Sequence, residues 1–181
     1  ADIDWYGGLS VASLGSFVIE DSGKLVFGGT FAYSDGSASA APGIVMYGGD
    51  LVLSSASDNI AYAVTVPVGA DNVRVENGMS AEGAAVYVQT AASVRLAGRV
   101  NVAVDDGSTD VTLDAEENAD ITLADGIAAS ITGRASSVII GQGAAVSGDV
   151  EAAGSVENNG IVYGDISAGT VSGKGTYSVR D

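Results

Sequence analysis

WYGGLSV at residues 5–11, VFGGTFAY at 26–33 and MYGGDLVL at 46–53 share one signature: an aromatic residue, two glycines, then an alternating apolar run. The recurring aromatics are Tyr6, Phe27 and Tyr47. A spacing of this size is what one coil of a parallel β-helix, or one hairpin of a meander, consumes. The glycine pair suits either, because glycine takes positive φ without steric cost and lets the chain turn sharply between strands.

Around Pro67 the units shorten into triplets: Val64-Thr65-Val66 just before it, then Val73-Arg74-Val75, Val86-Tyr87-Val88, Val94-Arg95-Leu96 and Val100-Asn101-Val102. Val111-Thr112-Leu113, Ile121-Thr122-Leu123 and Ile131-Thr132 follow at ten-residue intervals. Each triplet turns two apolar side chains one way and a polar one the other. Strands this short are unstable as isolated hairpins, but stacked in register they form the flat sides of a solenoid. Further on, Val150, Val156, Ile161, Ile166 and Val171 step by six, five, five and five. A helix does not fit a step of five. A coil that turns corner by corner, with one inward residue per short side, does.

From 138 to 179 the string beginning VIIGQGAAVSGDVEAAGSVENNGIVYGDISAGTVSGKG resembles the bactofilin family. That family's pattern is apolar-x-Gly-x-apolar-x-Gly-Asp-apolar, and Gly148-Asp149-Val150 and Gly164-Asp165-Ile166 match its Gly-Asp corners. The resemblance covers about a quarter of the chain. It implies a nucleotide-free β-solenoid that polymerises end to end. The same texture is similar to phage fibre and spike proteins and to the passenger domains of bacterial surface adhesins, which share architecture rather than residues.

The sequence therefore predicts an all-β chain, mostly a parallel β-solenoid. Residues 1–66 form a broader N-terminal β region of 20-residue units and residues 67–181 a short-strand solenoid, with 34–43 and 54–59 as loops. The rival arrangement is a β-sandwich or jelly roll over 1–66 carrying a solenoid tail. Pro67 marks the boundary, because proline cannot donate within a central ladder. The 26 glycines against two prolines, and the scarcity of apolar residues at helical spacing, fit this reading.

The net charge is −16, from 23 acidic and 7 basic residues. Such a molecule is repelled by nucleic-acid phosphates and anionic membranes, and the arginines are too scattered for a basic patch. No apolar run is long enough to insert into a bilayer. The charge reads as a solubility device for a chain that is 46% hydrophobic. Residue 1 is Ala rather than Met, consistent with removal of an initiator Met or of a leader.

Histidine and cysteine are absent. That excludes imidazole triads, thiol nucleophiles and His or Cys metal sites. Carboxylates remain. Asp105, Asp106 and Asp110 are candidate Ca²⁺ ligands, the only cofactor the sequence suggests; Asp114, Glu116, Glu117 and Asp120 form a second acidic cluster. Both also read plainly as solvated turns. Asp71, Arg74, Glu76 and Arg95 fall on adjacent rungs, either as a carboxylate site of the polysaccharide-cleaving kind or as a cross-rung salt-bridge ladder. Arg74, Tyr87 and Arg95 point outward and are candidate glycan contacts. Trp5, Tyr6, Phe27, Phe31 and Tyr47 are either the core of a wider first region or an assembly interface.

The functional expectation is a non-enzymatic structural protein that associates with itself, as a trimer or filament, or with a larger particle. A virion exterior, as capsid decoration, head fibre or spike, is the first setting. A bacterial surface adhesin or filament is the second. A carbohydrate-binding or carbohydrate-cleaving β-helix is the alternative class.

Overall fold

The computed structural model describes residues 2–5, 8–11, 16–19, 24–27, 30–33, 43–53, 63–67, 69–77, 84–88, 93–104 and 111–177. All regular structure among them is β. The strands are β1 (Asp2–Trp5), β2 (Gly8–Val11), β3 (Ser16–Ile19), β4 (Lys24–Phe27), β5 (Thr30–Tyr33), β6 (Gly43–Met46), β7 (Gly49–Leu53), β8 (Ala63–Val66), β9 (Val73–Asn77) and β10 (Ala84–Val88). They continue as β11 (Ser93–Val104), β12 (Val111–Ala115), β13 (Asp120–Leu123), β14 (Ala128–Ile140), β15 (Ala145–Ser147), β16 (Val150–Asn158), β17 (Ile161–Tyr163), β18 (Ile166–Ser167), β19 (Thr170–Ser172) and β20 (Thr176–Tyr177).

Every strand pairing is parallel and joins one coil to the next. The chain is a parallel β-solenoid. One face stacks β1, β4, β7, β9, the first half of β11, β12, the first half of β14, β15, β17 and β20. The other stacks β3, β6, β8, β10, the second half of β11, β13, the second half of β14 and β16, which is followed by β18 and β19. A short ladder joins β2 to β5. Residues 1–66 are not a jelly roll: their strands pair in parallel. The ladder also runs unbroken past Pro67, because β8 bonds to β6 on one side and β10 on the other. Pro67 falls just beyond β8, where a missing N–H removes no ladder bond. The expected loops at 34–43 and 54–59 lie outside the described residues, apart from Gly43, which opens β6.

The triplets behave as their alternation requires. One column of registered residues runs Ile44, Val64, Val86, Val102, Leu123, Ile140 and Asn158, all buried. On the opposite face Val73, Val94, Leu113 and Ile131 stack in the same way. Successive triplets such as those of β12 and β13 occupy opposite faces of one coil. Near the C-terminus one expected anchor shifts: Val162 is buried and Ile161 only half-buried. Val162 registers with Val146, and in a strand the neighbouring residue must face the other way. Val150 and Val156 point inward as expected, whereas Val171 is 41% exposed on the last coil.

The coils taper. On the first face Asp2, Lys24, Asp50, Arg74, Arg95, Asp114 and Thr132 form one column, and from Asp50 onward each step along the chain is shorter than the one before. The second-face column from Ile44 to Asn158 shortens less regularly, but several hydrogen bonds between neighbouring coils follow the first-face trend. Arg95 bonds to Asp114 across 19 positions and Thr132 to Asp114 across 18. Ser137 bonds to Asp120 across 17, Asp165 to Asp149 across 16, and Lys174 to Asn159 across 15.

Corners are built from asparagine and glycine. Asn77 and Asn158 are the buried polar residues among those described. Asn77 Nδ2 donates to Arg99 O at 2.7 Å. Asn158 Oδ1 accepts the Gly160 N–H at 3.0 Å, and its Nδ2 donates to Thr176 O at 3.2 Å on the next coil. Each side chain thus supplies the partners that a corner removes from the ladder. Gly98 sits against Asn77 and Gly173 against Asn158, both with positive φ; a Cβ at either position would fall on the asparagine carbonyl oxygen.

Gly69 has the same left-handed backbone but open space around it. Gly69→Ala should therefore cost about 1 kcal/mol, the conformational penalty alone. Gly98→Ala should cost at least about 3 kcal/mol, because backbone must also move. Urea denaturation of the two variants checks this, and equal losses would contradict the corner geometry.

Candidate functional site

Parallel stacking places outward side chains directly over one another, about 4.8 Å apart. On the first face this sets Arg74 on β9 beside Arg95 on β11. Two guanidinium groups at that separation repel, so each needs its own carboxylate. Arg74 has two. Its Nε donates to Glu116 Oε1 at 2.6 Å and its Nη2 to Glu116 Oε2 at 2.8 Å, while Nη1 donates to Glu76 Oε2 at 2.8 Å. Glu116 lies two coils on, just after β12, with its N–H held by Leu96 O. Between the two glutamates the intervening coil carries only Ala97, which registers with Glu76 and is fully buried. That methyl-sized residue leaves room for the arginine to cross.

The forked pair is partly shielded, with Arg74 22% and Glu116 33% exposed. The Arg74 guanidinium hydrogen-bonded to it holds the Glu116 carboxyl below the usual glutamate range, against the opposing effect of burial. The Glu116 and Glu76 carboxylates in turn hold Arg74 charged well beyond its ordinary range. Arg95 is bound more loosely: its Nε donates to Asp114 Oδ2 at 3.3 Å, and both side chains are largely exposed.

Next to this ladder lies an open groove of about 800 Å³, lined by Tyr47, Asp50, Asp71, Asn72, Ser93, Arg95 and Asp114, with Arg74 also in its wall. Tyr47 occupies the corner before β7 and is 47% exposed. Asp71 and Asn72 occupy the equivalent corner before β9. The corners are tied together: the Asp71 N–H donates to Tyr47 O at 3.0 Å, and the Gly49 N–H donates to Asn72 O at 3.2 Å.

The structure thus brings Arg74 and Glu76 into contact, stacks Arg95 beside Arg74, and sets Asp71 on the groove wall. Tyr87 is elsewhere: it lies on β10, in the column of Thr65 and Ala103 on the opposite face. Tyr47 takes the aromatic position beside the arginines instead. Of the other aromatics, Trp5, Phe27 and Phe31 end or occupy β1, β4 and β5, and Tyr6 lies outside the described residues. Asp105, Asp106 and Asp110 also lie outside them. The second acidic cluster is divided by the corner that carries the chain from β12 to β13 on the opposite face. Asp114 meets Arg95, Glu116 meets Arg74, and Asp120 Oδ1 accepts a 2.7 Å bond from Ser137 Oγ. Among the described residues no three carboxylates gather in a way that could hold a metal ion. The pairing of Arg74 with a residue 42 positions away has no local signature, because it depends on coil lengths.

Fold and face together define a parallel β-solenoid with an ion-paired flank and a polar groove. Comparison with protein-family models, curated proteins and solved structures gave no significant match. The likeness of 138–179 to bactofilins rests on the rung pattern alone.

Glu116→Gln should lower stability by about 1 kcal/mol at neutral pH, near the upper end for a partly exposed forked pair. Because the folded state depresses the Glu116 pKa, this stabilisation is present above the unfolded glutamate value, about 4.3, and is lost as pH falls through the lower folded value. The difference in melting temperature between wild type and Glu116→Gln should accordingly close in acid. A gap that persists at pH 2 would contradict the assignment.

Proposed function

We propose that this chain is a non-enzymatic structural element: a stiff, acidic peg that associates with a second copy through its C-terminal coil and displays its flanks to solvent. The supporting observation is the parallel stack, in which backbone ladders join the described coils and a buried column of Val, Leu and Ile runs from Ile44 to Ile140. Such a body resists bending. The densest charge cluster supports the reading too, because Arg74, Glu76 and Glu116 satisfy one another rather than standing poised for proton transfer. The proposed setting is the exterior of a virus particle, or else a bacterial surface, in keeping with a thiol-free, strongly acidic composition.

The taper bears on how copies would meet. The last described coil, which ends on β20, is shorter than the coil that begins at β1, so a head-to-tail contact between copies would join rungs of unequal length. That last coil matches another terminal coil. On that coil Val171 and Tyr177 are exposed and Ile166 half-buried, around a shallow depression bordered by Gly164 and Asp165. Val171 covers Val156 below it and has no registered neighbour above it among the described residues. Exposed apolar groups on an open strand edge favour pairing with another subunit.

Sedimentation at micromolar concentration should give a dimer, converted to monomer by Val171→Asp or Tyr177→Asp with an unchanged circular dichroism spectrum. Long fibres in negative stain would overturn end-matched pairing, and a wild-type monomer would overturn self-association.

A further inference from the structure

The groove beside Tyr47 has a chemistry that the structural role does not use. We propose that it is a binding site for a short neutral oligosaccharide, laid along the solenoid axis from Tyr47 to Asp114. This goes beyond the peg-like role and does not depend on dimer formation.

Length is the first argument. Tyr47, Asp71, Arg95 and Asp114 belong to four successive coils, so the polar row extends about 14 Å at the spacing of stacked strands. That is the reach of a chain of a few sugars rather than of a single small molecule.

Composition of the wall is the second. The half-exposed Tyr47 ring offers an apolar face with a polar tip. Beside it stand acceptor-only carboxylates at Asp50, Asp71 and Asp114, the amide of Asn72 and the donor-only guanidinium of Arg95. Sugar hydroxyls donate and accept at once, and a pyranose ring presents a C–H face. A wall that alternates acceptors and donors next to one aromatic plane answers both. Arg95 has capacity to spare: it is 57% exposed, and its bond to Asp114 is long at 3.3 Å.

Charge narrows the class. Arg74 is committed to Glu76 and Glu116, which leaves three aspartates against Arg95. Phosphates, sulfates and uronates are repelled by that excess and by the net charge of −16. A polypeptide would want a more apolar floor than this polar wall provides.

Rigidity is the last argument. The two corner bonds between the Tyr47 and Asp71–Asn72 turns fix the wall in advance. Asn72 itself has φ 53°, in the left-handed region, with its N–H held by Asp71 Oδ1 at 2.9 Å. A preformed wall loses little conformational freedom on binding.

The test is a titration of the ¹⁵N-labelled protein with maltotriose, cellotriose and fully N-acetylated chitotriose, followed by amide shifts, with a sulfated disaccharide as the charged comparator. At least one neutral trisaccharide should bind in the millimolar range or better, with shifts centred on Asp71, Asn72, Ser93 and Arg95. Tyr47→Ala should weaken binding about tenfold, the measure of one aromatic stacking contact. Asp71→Asn, which keeps the shape of the wall, should also weaken it. Tyr87→Ala on the opposite face should leave it unchanged. No shifts with any neutral sugar, stronger binding of the sulfated one, or full affinity in both Tyr47→Ala and Asp71→Asn would each overturn the proposal.

Discussion

The structure depends on one constraint: every coil must satisfy its backbone through the coils on either side while keeping its inward side chains in line with theirs. The column from Ile44 to Asn158 is the result. A slip of one residue at any rung would turn valines outward and polar residues inward, so hydrophobic burial and the ladder enforce the same register. The outward side is then no longer free. Whatever the sequence puts there is stacked rung upon rung, which is why Arg74 and Arg95 become neighbours and why each recruits a carboxylate from another coil.

The taper is the second consequence of stacking. Coils shorten by spending fewer residues per turn, and the first-face column from Asp50 through Arg74, Arg95 and Asp114 to Thr132 records that loss. Corners tighten as well. β14 and β16 each carry a run of exposed residues in mid-strand, 132–134 and 153–155, where the chain bends from one side to the next.

Corners also explain where a ligand site can arise. Strand residues are bound twice over, by the ladder and by the core. Corner residues such as Tyr47, Asp71 and Asn72 carry neither duty in full, so they can vary in kind and length without unzipping the stack. The groove combines such positions with strand residues, among them Asp50 and Ser93, and with the exposed ends of the arginine ladder. A rigid scaffold with a variable edge is compatible with a body that is mechanically passive and chemically selective at one place.

Much of this was legible in the chain itself. Val-x-Val triplets read directly as one inward and one outward face, and Val100-Asn101-Val102 and Ile121-Thr122-Leu123 sit as their alternation demands. Phe27 ends β4 in register with Trp5 and Leu53, whereas Tyr47 sits at the corner before β7, so the aromatic-glycine repeat does not mark equivalent places in successive coils; absent histidine and cysteine removed whole chemistries. Which outward residues share a face was not legible. Tyr87 resembles Arg74 and Arg95 in its local setting, yet lies on the opposite sheet, because the residues spent at each corner decide the side on which a triplet arrives. The same dependence hid the pairing of Arg74 with Glu116 and made Val162, not Ile161, the inward residue of its rung. Alternation is a property of neighbouring residues, so sequence alone determined inside from outside. Proximity across coils is a sum over every intervening turn, and only the folded stack decided it.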